Sequence, residues 1–504
     1  MLGMNNILQT TIKLVRDNAK LLLALILFVA VVGHLCTIEY SPRCWQDEIQ
    51  ILEIAHHGVA SKSTDYSMAM QRTDGVPDRM AWAVFYLGSY MNNVGYFAIG
   101  KIGPRIVSLS WLLIIAVLVY AYCNRRTDDA LLSLLLALVV FTFPPLSQSM
   151  RGARVDCQAM ALVFAALLIL ESPREKRNWA FLLAGAFCAA SIFTWISAIM
   201  LLPLVFCAML DVAAKEDFSI SNTLRPLLYA GAGFVVACLL ILLPYLADVS
   251  ASIDQFNRVM SVNVPKPKGL LIEDFAYSML AFPGLYLLGI GLLFAQKKTW
   301  IASIGFVLFA FLCMRTKVYI FRMIYFVPYA LVGIIWFFRK TRPRVLYSGV
   351  IGVLVIMVTI SFSWSIVARN FTEWFAMPSR DSSKMASVLK SAVGEGAIRV
   401  YLDSYELYYI TEGIGWECMH VLYGGIDMPS AAMLARNDYF IIEESSDITP
   451  YLAPLKEAGF EKWCEIPSMK PSKPTSMERF LDRAGRLKPF GPYLVYKKLG
   501  NITR

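Results

Sequence analysis

Apolar residues in this chain gather in long unbroken runs rather than alternating with polar ones. Eleven runs stand out, at about 20–37, 104–123, 129–146, 156–171, 178–193, 195–212, 225–247, 274–295, 299–314, 320–338 and 345–367. Most approach the roughly 20 residues that a helix needs to cross a bilayer core. None has the in–out alternation of a membrane β-strand, so each is predicted to be a helix. The stretch 178–212 is continuous but for a break near Thr194, which leaves ten crossings as an alternative. The first run follows Lys13, Arg16 and Lys20, as in a signal peptide. No small-residue cleavage site follows it, so it is read as an uncleaved anchor.

Two segments break the pattern. The loop 38–103 holds a short amphipathic stretch after Pro42, with Ile49, Leu52, Ile54 and Ala55 at near-helical spacing and Gly58 placed to end it. A second such stretch runs from about Asp78 to Phe97 and carries Trp82, Phe85, Tyr86 and Tyr90. Beyond residue 367 the runs shorten. Arg399–Leu402, Tyr439–Glu443 and Tyr493–Lys497 read as strands and 449–459 as a helix. The expected fold is therefore an α-helical polytopic membrane protein with about eleven spans over 1–367 and a small soluble α/β domain over 368–504.

Composition agrees. Hydrophobic residues are 57%, charged residues 17% and mean hydropathy is +0.55, which excludes an ordinary soluble protein. An aromatic content of 13% excludes a disordered chain, and 10 cysteines are too few for a disulfide scaffold. Residues 368–504 carry 17 basic and 17 acidic side chains, so the net +10 belongs entirely to the membrane part. With the N-terminus in the cytoplasm, the loops on that side hold 16 Lys or Arg in 58 residues, against 14 in 111 on the other side. The denser side is expected to be cytoplasmic, which puts the tail outside. Basic charge at membrane edges points to anionic lipid or a phosphate-bearing substrate rather than to nucleic acid. The centres of the runs contain no Asp, Glu, Lys or Arg. Ion-coupled transporters keep such groups at mid-depth, so polar chemistry is expected at the outer rim.

Three clusters there are candidates. Asp47 and Glu48 open the first amphipathic stretch, where they either cap a helix or do chemistry. Arg151 and Arg154 are three apart and would share a helix face, with Asp156 placed to orient one of them; snorkelling is the alternative. Arg315, Lys317 and Arg322 put three cations within eight residues. Arg322 stands at the mouth of an apolar helix and calls for an anion, which a phosphate would satisfy. Lys266 and Lys268 either join that field or are solvated.

Taken in order, an acidic pair after the first span, a long outer loop, an Arg-containing loop before the fourth span, an Arg-aromatic-Pro helix start at 322–328 and a soluble tail resemble the GT-C superfamily of polyprenyl-phosphate-dependent glycosyltransferases. The aminoarabinose transferases and protein O-mannosyltransferases are the nearest in layout. The resemblance implies transfer of a sugar from a polyprenyl-phosphate donor to a hydroxyl on a lipid, glycan or protein acceptor, in a bacterial inner membrane with a periplasmic tail. It makes Asp47 the general base, with Glu48 assisting, orienting it or binding a divalent cation. Arg151, Arg154, Lys317 and Arg322 would hold the leaving phosphate, and Asp156 would orient. A phosphate leaves without a general acid, so single displacement with inversion is expected. Where many relatives have His-Pro-Pro, this chain has Gly75-Val-Pro77-Asp78-Arg79, which puts an acceptor-loop role for Asp78 and Arg79 in question. A lipid-glycan polymerase or ligase, or a flippase, is the alternative. Cys418 and Cys464 lie in the tail and are a candidate pair in an oxidising compartment.

Overall fold

The structure is a computed structural model that describes residues 14–15, 17–40, 48, 87–173, 177–214, 220–243, 269–316, 320–339, 343–419, 430–444 and 446–499. The chain divides into two compact units. One comprises Met1–His34, Trp82–Gly88 and Val107–Val367; the other comprises Leu35–Ala81, Ser89–Ile106 and Ala368–Arg504.

The first unit is built of helices laid along the apolar runs. Five helices are long and apolar enough to cross a membrane, or seven if two bent pairs each count as one span. That count covers the described residues and falls below the eleven that the sequence pattern predicts. Three further apolar helices, Ala19–Leu35, Asp156–Ile169 and Phe321–Phe337, are shorter than a full span. The bends have a local cause. Ala130–Thr142 meets Pro144–Arg151 at 48°, and Ile272–Leu280 meets Pro283–Phe294 at 105°. In both, a proline opens the second helix and pushes the residue before it, Phe143 or Phe282, out of helical geometry. The break anticipated near Thr194 falls at Trp195, which is extended (φ −158°, ψ 120°) between Arg177–Thr194 and Ile196–Leu201.

Where solvent is lipid, apolarity alone cannot hold helices together, and small residues let backbones close. Helices Arg177–Thr194 and Ile220–Leu242 do this reciprocally. A Cβ on Gly185 would lie 1.9 Å from the Ala230 carbonyl oxygen, and one on Gly233 would lie 1.9 Å from that of Leu182. The outer side of Ile220–Leu242 leaves Leu228, Val235, Leu239 and Leu240 exposed, as a lipid-facing surface would.

At one end of this unit four helix ends are tied by charge. Arg126 donates to Glu171 and, at 2.6 Å, to Asp211. Arg339 reaches the same Asp211 oxygen at 2.7 Å. The Arg126 guanidinium also lies 4.5 Å over the Trp336 ring, whose Nε1 donates to Tyr122 at 2.6 Å.

The second unit contains a five-stranded sheet: β1 (Arg399–Leu402), β2 (Glu417–Met419), β3 (Tyr439–Glu443), β4 (Phe460–Ile466) and β5 (Tyr493–Lys498). Strand order is β2-β1-β3-β5-β4; β1 is parallel to β2 and β3, and β5 is antiparallel to β3 and β4. The pleat sends Val400, Leu402, Ile441, Tyr493 and Val495 to one core, with Met385 and Leu389. It sends Tyr401, Phe440 and Ile442 to the other, with Leu455 and Phe460. At the carboxyl end of β1, Asp403 accepts from Tyr451. Burial first, and that carboxylate second, hold the Tyr451 phenol well above its ordinary range.

Cys418 and Cys464 sit on β2 and β4, the two opposite edges of the sheet, and both are free thiols. Four strand spacings, roughly 19 Å in all, separate them, so strand order excludes the candidate pairing.

Candidate functional site

In the first unit the segment 149–156 gathers the polar side chains. The expectation that Arg151 and Arg154 share a helix face fails, because the helix stops between them. Pro144–Arg151 ends in a Schellman turn: Ala153 N–H bonds the Met150 carbonyl at 3.0 Å, and Arg154 N–H bonds that of Ser149 at 3.1 Å. Ala153 takes the left-handed position (φ 52°) that glycine usually fills. The two arginines therefore diverge.

Arg151 turns inward and is fully buried. Its Nε and Nη2 lie 3.2 and 3.1 Å from His34 Nδ1, and Nη2 donates to the His34 carbonyl at 3.3 Å. Arg154 turns to Asp156, with Nε 2.7 Å from Oδ2. Asp156 is fully buried and is satisfied on both oxygens. Ser149 Oγ donates to Oδ2 at 2.7 Å and Tyr325 OH to Oδ1 at 3.0 Å. The Arg154 guanidinium lies 4.1 Å over Phe321 and 5.1 Å over Trp195. Two rings and a carboxylate thus hold one cation in a low-dielectric setting, where each contact is worth more than in water. Phe321 and Tyr325 flank Arg322, which is half-buried in the turn Ile320–Met323.

Asp156→Asn should lose the charge that balances Arg154 and oppose an amide N–H₂ to a donor. A broken buried pair costs about 3–5 kcal/mol. The expected result is a lower unfolding midpoint in detergent, with Ser149→Ala costing less, about 1.5–3 kcal/mol, by loss of one neutral-to-charged bond. Equal effects from the two variants would contradict the assignment of Asp156 as the centre of this network.

In the second unit, Glu48 is fully buried against Arg105, also fully buried. The pair is bidentate: Nε to Oε1 at 2.6 Å and Nη2 to Oε2 at 2.9 Å. Nη1 of Arg105 donates to the carbonyls of Ile38 at 2.6 Å and Glu39 at 3.3 Å, just past the first helix. Charge and hydrogen-bonding demand are both met, which is the condition for a stable buried pair.

Asp47, Asp78, Arg79 and Lys317 lie outside the described residues. Sequence reasoning missed Arg105, Tyr325 and Ser149. A lone arginine at the head of an apolar run was the available signal for Arg105. Nothing local marks Tyr325 as a partner of Asp156. Among the described residues, no group of three or more His, Cys, Asp or Glu side chains is placed to hold a metal ion.

No protein-family model matches the sequence, and no characterised protein matches it by sequence. Solved structures do match. The crystal structure of ArnT from Cupriavidus metallidurans bound to undecaprenyl phosphate aligns at a TM-score of 0.61 and 12% identity, over 95% of this chain and 98% of that one. The apo form of the same protein gives 0.59. The cryo-EM structure of the arabinofuranosyltransferase AftD from Mycobacteria gives 0.50 at 12% identity, over 94% of this chain and 40% of that one. At such identity the likeness is one of fold. The chain has the fold seen in ArnT, and its apolar helices make it a multi-pass membrane protein.

Proposed function

We propose that the chain is an integral-membrane glycosyltransferase that moves a sugar from a polyprenyl-phosphate carrier to a hydroxyl acceptor, with inversion. The carrying observation is that its fold matches, along nearly the whole of both chains, a structure that holds undecaprenyl phosphate. In this reading the apolar runs make eleven crossings, with the N-terminus in the cytoplasm and residues 368–504 on the periplasmic side of a bacterial inner membrane. Asp47 takes the acceptor proton as its oxygen attacks the anomeric carbon. Arg322, Lys317 and Arg154 stabilise the departing phosphate, and Asp156 orients Arg154.

The burial of Arg151 against His34 supports a narrower part for it: it holds the 149–156 turn from behind and does not touch the carrier. Glu48 is likewise a partner of Arg105 rather than a second base, and Asp78 and Arg79 are kept as contacts to the acceptor. A divalent cation at the acidic pair is compatible with this reading but not needed by it, since the cationic side chains already offset the phosphate charge.

The test is to incubate the purified protein with a labelled polyprenyl-phosphate sugar and an acceptor extract. A transferase moves or releases the label. A flippase leaves it on the carrier, and that result would overturn the reading. Arg322→Ala should then raise the donor KM, by about 10- to 100-fold for one charge-assisted contact. If acceptor KM alone rose, the phosphate role of Arg322 would be wrong.

A further inference from the structure

The buried Glu48–Arg105 pair does not stand by itself within the second unit. Arg105 has a carboxylate on one edge and an aromatic ring near its face: its guanidinium carbon lies 5.3 Å from the centre of the Tyr409 ring. Lys101, one helical turn earlier, lies 4.9 Å over the same ring. Lys101 Nζ also donates to Ser382 Oγ at 2.9 Å and to the Tyr409 carbonyl at 3.4 Å. Tyr409 belongs to the helix Tyr405–Thr411, which follows β1, and its side chain is buried in the sheet core. Tyr96 OH donates to Glu412 just past that helix.

The turn after the first helix is stitched to the same body. Thr37 Oγ1 donates to Asn370 Oδ1 at 2.7 Å, and Arg380 Nη1 reaches the Tyr40 carbonyl at 3.3 Å and Glu373 at 2.6 Å. The backbone of 95–103 is closed tightly enough to transmit this. Gly100 turns the chain at φ 73°, and a Cβ on Gly103 would sit 1.9 Å from the Gly95 carbonyl oxygen. Cations over an aromatic face gain from the ring quadrupole, and more so when desolvated. Tyr409 therefore restrains two of them at once from the sheet side.

We propose that Lys101, Arg105 and Tyr409 form a positioning relay by which the C-terminal α/β unit holds Glu48, the chain neighbour of Asp47. Tyr409 and Lys101 are positioning residues, since they act through Arg105. The relay rests on the reading that the acidic pair serves sugar transfer, and it gives the α/β unit a part in that reaction.

The test compares Tyr409→Ala, Tyr409→Phe and Lys101→Met in the full-length protein. Two readouts are taken: amide hydrogen exchange over residues 44–52, and kcat and donor KM for transfer from a labelled polyprenyl-phosphate sugar. Tyr409→Ala should speed exchange in that segment and lower kcat roughly 10- to 100-fold, the scale of a small misplacement of reacting groups, with donor KM little changed. Tyr409→Phe keeps the ring and should restore both. Lys101→Met, which leaves the core intact, should shift both in the same direction as Tyr409→Ala but less. Unchanged exchange at 44–52 in both Tyr409→Ala and Lys101→Met would overturn the relay. So would faster exchange with an unchanged kcat, or a rise in donor KM alone. If the wild-type protein transfers no sugar, the reading of its function fails instead, and the exchange comparison still decides whether Tyr409 anchors the segment.

Discussion

Asp211→Ala should strongly destabilise the membrane unit. The carboxylate is the shared acceptor of Arg126 and Arg339, at 2.6 and 2.7 Å, and its side chain is 5% exposed. The Arg126 side chain is 1% exposed, so it cannot recover water when the acid is removed. Breaking a buried pair in this way costs about 3–5 kcal/mol, a large share of the 5–15 kcal/mol that holds a typical domain. Four helix ends meet there, so the loss should appear as a lower midpoint for the whole helical unit. Thermal unfolding in detergent measures it. Arg339→Met, whose side chain is 19% exposed, should cost much less. An unchanged midpoint for Asp211→Ala would show that the pair is compensated and contributes little. The network lies at helix ends whose arginines read, in sequence, as charges at a membrane edge; in the structure Arg126 is buried and Arg339 partly so.

That contrast recurs through the chain. The helices were legible because lipid imposes a simple rule: a run of apolar residues must satisfy its own backbone. Strands β1 and β3 were legible for a related reason, since both faces of a central strand are covered and its residues run apolar. β4 was not, because Glu461, Lys462 and Glu465 on an edge strand hide the pattern. β2 has only three residues, too few for a period to register.

The polar clusters were legible in their residue types and not in their pairings. Asp156 next to Arg154 follows from two residues of separation. Arg105 with Glu48 is separated by 57 positions and Tyr325 with Asp156 by 169, and no local rule joins such groups. The shared face expected for Arg151 and Arg154 was lost to a single backbone feature. Ala153 adopts the left-handed angle that glycine normally marks, while Gly152, the helix-end signal in the sequence, stands one residue earlier as the cap.

Proton removal by a carboxylate beside Glu48 is the central step of the proposed transfer, and one measurement reaches it directly. Asp47→Asn keeps the shape of the side chain and removes its basicity. General-base catalysis contributes roughly 10²- to 10⁴-fold, so label transfer from a polyprenyl-phosphate sugar should fall by that order. Expression, unfolding midpoint and donor KM should stay near wild type, because the buried Glu48–Arg105 pair keeps both of its charges in this variant. Transfer at the wild-type rate by Asp47→Asn would contradict the account.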